Sequence, residues 1–250
     1  MKRLLGILAG ACLALSIGCA QSYDLRVEET IKNLRYRRDL DKNTEAPPAK
    51  SNLENAKIYI RAPKGLKGPA QTFAFVVEPG KFDIADTFID ADKQASLHIL
   101  ARSNAPKPTG TKKAPGPNPA EGAEPAPVPA VRGDFTSDVL EFIKSAYSTD
   151  FEASQLKAIE PNSHGRKSVT YKGATLDLGN KQVKVYFHGD KNSPAQVALI
   201  FEGTKDSLRN LSSQIDYSLN SLVAGPKATN FYNGQDEIGE EGPPVPTGVF

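Results

Sequence analysis

Histidine is the side chain best suited to acid–base work near neutral pH, and this chain has three: His98, His164 and His188. His98 sits between Leu97 and Ile99 in an alternating run, so it is expected to point away from both. His164 falls in the turn-like stretch 161–165 and His188 at the end of a strand pattern. No pair has the i, i+4 spacing of a zinc-binding helix. No carboxylate-rich calcium loop, G-x-S-x-G elbow, phosphate loop or dinucleotide fingerprint is present. We therefore expect no metal and no cofactor, and assign no catalytic residue. Asp83, Asp86, Asp90 and Asp92 lie close together, and paired carboxylates can do acid–base work. The alternation FDIADTFID instead predicts a solvated carboxylate edge, with Asp83 facing water and Asp90 to Asp92 opening a turn. Tyr147, Tyr171, Tyr186 and Phe187 could line a ligand groove; the simpler expectation is that they are core.

The chain opens Met1-Lys2-Arg3 and runs uncharged from Leu4 to Ile17. About 14 apolar residues are short of the roughly 20 that a bilayer-spanning helix needs; a basic start and this length fit a secretory signal peptide. The run ends Leu15-Ser16-Ile17-Gly18-Cys19, which resembles a lipobox, although Leu15 stands one place earlier than that pattern's leucine. The resemblance implies cleavage after Gly18 and acylation of Cys19, so that membrane lipid is held through that residue. Of the two cysteines, Cys12 would leave with the signal, so Cys19 would stand alone. The rival reading takes Gly18 and Ala20 as a small-x-small site, with cleavage before Gln21 and a soluble secreted product.

The full chain has 31 Lys and Arg against 29 Asp and Glu, and losing Lys2 and Arg3 would balance them. A nucleic-acid partner needs a clustered basic surplus to neutralise phosphates, and none is visible. After the signal, Val27, Ile31 and Leu34 recur at helical spacing, with Arg35, Arg37 and Arg38 beyond them. This helix could lie near lipid headgroups or serve as a solvated, partly frayed spacer; the spacer is the expectation carried forward. Asn43 to Ala56 holds Pro47-Pro48 and reads as a flexible tether of up to about 45 Å, at about 3.3 Å per residue.

Strands are predicted in KIYIRAP, TFAFVVEPG, FDIADTFID, ASLHILARS, SVTYKG, ATLDLG, QVKVYFHG and QVALIFEG, the last two joined as a hairpin through 189–194. One helix is predicted over 134–147, capped by Asp134 or Thr136, and another over 207–223, capped by Asp206 and stopped by Gly225-Pro226. Residues 104–133 hold eight prolines, six alanines and four glycines, so they should form a disordered loop inserted into one domain. The expected organisation is a signal peptide over 1–18, a lipid-anchored helix and tether over 19–56, one α+β domain over 57–224, and a disordered tail over 225–250. In that domain two main helices would pack on one face of an antiparallel sheet.

That element order resembles the Mog1/PsbP-like fold, through the strand ending Ala62-Pro63-Lys64-Gly65-Leu66 and the final hairpin leading into the helix at Ser207. The stretches IYIRAPKGLKGP and EPGKFDIADTFID also look like lipoproteins of planctomycete bacteria. The resemblance covers Ala56 to Gly225 without the linker. It implies an accessory or binding role and carries over no functional residue. The expected protein is thus a membrane-tethered, non-enzymatic module of the cell envelope with a possible envelope protein partner. The alternative is an envelope hydrolase whose site is assembled from scattered residues. A pocket joining His98 or His188 to a serine and a carboxylate would favour the enzyme.

Overall fold

The computed structural model describes residues 23, 25–92, 94–103, 133–162, 164 and 169–234. Gly18, Cys19, the signal segment, nearly all of the proline-rich stretch and the end of the tail lie outside them. The chain divides into two compact units, one of 1–42 with 236–250 and one of 43–235.

In the first unit the described residues form a helix, α1, over residue 23 and 25–43, which runs just past the division at its end. Its apolar residues differ in exposure. Tyr36 is buried, whereas Tyr23, Leu25, Val27, Ile31 and Leu34 are exposed. No described helix is long and apolar enough to cross a membrane.

The second unit begins earlier than the sequence suggested. Thr44 is buried and bridges to Pro63, Glu45 N–H donates to the Ala62 carbonyl at 2.8 Å, and Leu53 is fully buried in the short helix α2, Asn52–Asn55. Residues 43–56 are therefore part of the fold and not a free tether. Strands β1 (Ile58–Tyr59), β2 (Ile84–Ile89) and β3 (Ala95–Ser103) follow. Next come helix α3 (Phe135–Tyr147), β4 (Lys157–Ile159), β5 (Tyr171–Leu178), β6 (Lys181–His188) and β7 (Ala195–Thr204). Helices α4 (Lys205–Asn210) and α5 (Ser212–Asn220), strand β8 (Val223–Ala224) and helix α6 (Ala228–Tyr232) complete it. The main sheet is antiparallel in the order β2-β3-β7-β6-β5-β4, and β1 pairs with β8 in a second, two-stranded sheet. The α+β class expected from the sequence is the one found.

The layering differs from expectation. On one face of the sheet, Leu97, Ile99, Leu199 and Phe201 pack with Leu208, Ile215 and Leu219 of the closing helices. On the other, Leu100, Val183, Val185 and Ile200 pack with Val139, Phe142 and Ile143 of α3. The two helical elements thus cover opposite faces. The central strand shows why: β7 is buried from Ala195 to Phe201 without interruption, and a strand covered on both sides reads as a continuous apolar run. Each such fully buried side chain contributes about 1.5–3 kcal/mol of transfer free energy.

Four local expectations are also corrected. TFAFVVEPG is not a strand. Phe73, Phe75 and Val77 pack on the α3 side as the alternation implies, but β2's outer edge is already used: Lys67 pairs with Ile89, and Ala70 N–H donates to the Thr87 carbonyl at 2.8 Å. SVTYKG and ATLDLG give one strand, β5, because Gly173 does not break it. A Cβ there would collide with the Val185 carbonyl oxygen, so the glycine permits close approach of β6. The closing helix is two helices, broken at Leu211 among the weak helix formers Asn210, Ser212 and Ser213; its start is capped by Thr204, which accepts from Ser207 N–H at 3.1 Å, and not by Asp206. Beyond Gly225 the chain is still folded. Tyr232 donates its hydroxyl to the Ile58 carbonyl at 2.8 Å, and Phe231 and Tyr232 lie against Tyr59.

Candidate functional site

Strand register assembles a polar cluster on the α3 side of the sheet. In β3, Ser96 and His98 are two apart and share a face. Ser96 stands opposite Glu202 of β7, and His98 stands opposite Thr87 of β2. His98 therefore faces away from Leu97 and Ile99, as its place in the run implied, and is buried. Its Nδ1 lies 3.0 Å from Thr87 Oγ1 and its Nε2 lies 3.0 Å from Ser96 Oγ and 3.5 Å from Glu202 Oε2. Phe73 and Phe75 present their rings edge-on to the imidazole at 5.9 and 5.0 Å, closing it off from the α3 side.

Glu202 is the hub. Its Oε2 accepts from the Tyr147 hydroxyl at 3.0 Å and its Oε1 from Lys181 Nζ at 2.7 Å. Hydrogen bonding to His98, together with Lys181 and Tyr147, lowers its pKa to about 2 against the opposing effect of burial. Burial, and then the Glu202 charge, push the Tyr147 phenol far above its ordinary range. At neutral pH the cluster is thus an ionised carboxylate held by a cation, a phenol and an imidazole. Beside it opens a cavity of about 210 Å³ lined by Gln94, Ser96, Asn180, Lys181, Glu202 and Thr204. This is below the ~300–1,000 Å³ of a drug-sized ligand site, and fits a small polar group or one side chain of a partner.

The chemistry available follows from which nitrogen meets which group. A nucleophile-activating histidine takes the serine proton on one ring nitrogen while a carboxylate holds the other. Here Ser96 and Glu202 share Nε2, and the partner of Nδ1 is a threonine. A ring proton on Nε2 would be directed at Ser96 and Glu202 and would leave Nδ1 to accept from Thr87. In that tautomer the ring does not take the Ser96 proton.

The other candidates disperse. His188 is half-buried, 5.6 Å from the Tyr171 ring, and burial lowers its pKa. His164 is stacked on Tyr217 at 3.8 Å. Three of the four aspartates lie as the alternation implied, with Asp83 and Asp92 exposed and Asp90 at the turn. Asp83 is exposed and accepts from Ser103 N–H, and Asp90 closes its turn by accepting from Gln94 N–H at 2.7 Å. Asp86, however, is buried beside Ile84 and Phe88; its Oδ2 has no hydrogen-bond partner and burial pushes its carboxyl up. Tyr171 and Tyr186 belong to one core and Phe187 to the other, with Tyr147 in the Glu202 cluster, so the four line no common groove. Among the described residues no three His, Cys, Asp or Glu side chains converge as metal ligands. Sequence reasoning missed Ser96, Thr87 and Glu202; the i, i+2 spacing of Ser96 and His98 was the one visible signal.

No protein-family model matches the sequence, and no curated protein matches it. Among solved structures it is similar to the solution structure of cyanobacterial PsbP (CyanoP) from Synechocystis sp. PCC 6803, at 12% identity, over 73% of this chain and 93% of that one, with a TM-score of 0.38.

Proposed function

We propose that this protein is a lipid-anchored, non-enzymatic binding or accessory module of a bacterial cell envelope. The observation that carries the reading is the opening of the sequence: Lys2-Arg3, an uncharged run to Ile17, then Gly18-Cys19, with no cysteine after it. In this reading the chain is cut after Gly18, Cys19 carries the acyl chains, and α1 leads from the anchor to the folded unit beginning at Asn43. At about 1.5 Å per residue, the 19 helical residues from 25 to 43 are roughly 28 Å long. The cavity beside Glu202 supports binding over catalysis, since Ser96 and Glu202 approach the same ring nitrogen of His98 and no carboxylate holds the other.

The test is metabolic labelling with palmitate, with mass spectrometry of the N-terminal peptide, comparing native protein with Cys19→Ala. An acylated Cys19 peptide, with label and membrane association both lost in the variant, is the expected result. A mature N-terminus at Gln21 and a soluble product would overturn the anchor in favour of plain secretion. In-cell crosslinking of the native protein then asks for the envelope partner.

The hydrolase is retained as the second reading because of one distance, Ser96 Oγ to His98 Nε2 at 3.0 Å. It requires Ser96 to be covalently modified by an active-site-directed fluorophosphonate and the label to vanish in Ser96→Ala.

A further inference from the structure

We infer that α1 docks along its length on an anionic lipid surface, through the apolar stripe of Tyr23, Val27, Ile31 and Leu34. This rests on the anchored reading above and adds to it a second, non-covalent membrane contact.

The stripe is unusual for its exposure. Tyr23 is 68% exposed, Val27 39%, Ile31 42% and Leu34 59%. Steps of four, four and three residues keep all four on one side of a 3.6-residue helix. The opposite side is the one that buries Tyr36. An apolar stripe left in water along three turns is the signature of a helix that lies in an interface and not of one that merely spans solvent.

Charge selects the occupant. Helical geometry places Arg35, Arg38 and Lys42 on the same half of the helix as the stripe, all exposed, against Asp41 among the described residues, while Arg26 and Glu28 sit at its two edges. Glu28 with Lys32 at 3.1 Å turns away from the stripe, and Arg38 lies 3.8 Å from Asp39 with both largely exposed. Arginine and lysine flanking an apolar stripe match anionic headgroups above acyl chains. A second copy laid parallel on the same stripe would set Arg35 and Arg38 against their own kind. Position points the same way. Tyr23 is four residues from Cys19, so an acylated Cys19 would hold the start of the stripe within about 14 Å of its lipid, at up to about 3.6 Å per residue. One acyl signal plus one basic apolar surface is the two-signal arrangement that makes membrane attachment stable.

The experiment uses the acylated full-length product in phosphatidylcholine vesicles with and without phosphatidylglycerol. A nitroxide label is placed at Ile31→Cys on the stripe or at Glu29→Cys on the opposite half; with Cys12 removed and Cys19 acylated, the new thiol is the sole free one. The expected result is a several-fold higher ratio of oxygen to nickel-chelate accessibility at 31 than at 29 in the anionic vesicles. That ratio should fall when the anionic lipid is omitted or salt is raised. Equal, water-like ratios at the two positions would overturn the docking, as would dipolar broadening at 31 showing a second copy on the stripe. Mass spectrometry of the Cys19 peptide in the same sample reads the anchor separately. An acylated chain with a water-like label sinks this inference alone, and an immersed label on an unacylated chain sinks the anchor alone.

Discussion

Two charged clusters sit on the same face of one sheet and are built for different ends. At one, Arg102 donates from Nε to the Lys81 carbonyl at 2.6 Å, from one terminal nitrogen to the Gly133 carbonyl at 2.8 Å, and from the other to Asp138. Phe82 and Phe135 cover its guanidinium at 5.5 Å each. Arg102 and Asp138 are themselves buried, and the cluster ties the end of β3 to the last residue of the proline-rich stretch and to α3. At the other, Glu202 gathers His98, Tyr147 and Lys181 but leaves a cavity at its side, with Lys181 more than half exposed. A closed cluster pins a loop base; an open one keeps a charge available to a partner. Burial of an ion is costly unless every donor and acceptor is met, so the same chemistry becomes structural or functional according to what closes it.

The largest effect should come from breaking the closed cluster. Arg102→Met leaves the buried Asp138 carboxylate with only Lys81, at 4.0 Å, beside it and should cost about 3 kcal/mol, read by urea denaturation. A loss under about 1 kcal/mol would mean that water reaches the site and that the two clusters are alike after all.

Glu202→Gln comes next, at about 2 kcal/mol once solvent screening at the cavity is allowed for. The pH dependence carries a sign. The folded pKa is depressed from the ordinary 4.5 to about 2, so the stabilisation is present above the unfolded value and is lost as pH falls through the folded one. Native protein should therefore lose stability between those two values, and the glutamine variant should be flatter there. Parallel curves would remove Glu202 as the hub.

Tyr147→Phe deletes one hydrogen bond to that carboxylate and should cost about 1 kcal/mol, seen as a lower thermal midpoint. The smallest effect belongs to Lys181→Met, within about 0.5 kcal/mol and erased by added salt, because its side chain is largely solvated. Salt should leave the cost of Arg102→Met unchanged; a salt-sensitive Arg102 would erase the contrast.

Much of this layout was readable from periodicity. The face of α3, the β6–β7 hairpin and the outward turn of His98 from its neighbours follow from periods of 3.6 and 2, which are properties of the backbone alone. The helical spacing of Val27, Ile31 and Leu34 was equally plain, and so was the solvation of that helix. Asp86 shows the limit of such reading. Alternation put it beside Ile84 and Phe88, yet an aspartate in that slot was read as solvated because charge is normally exposed.

Local pattern by itself determined most of the long strands and α3, which side of a strand each residue faces, and the charged, apolar and cysteine sequence at the N-terminus. Tertiary structure alone decided that Ser96 meets Glu202, that Arg102 clasps Asp138 across the proline-rich stretch, that TFAFVV packs without a ladder, and that the two helical layers cover opposite faces. The physical reason is range. Side-chain direction repeats every few residues along the chain, whereas the partner of a strand edge or of a buried charge is set by register and by competition for hydrogen bonds among segments distant in sequence.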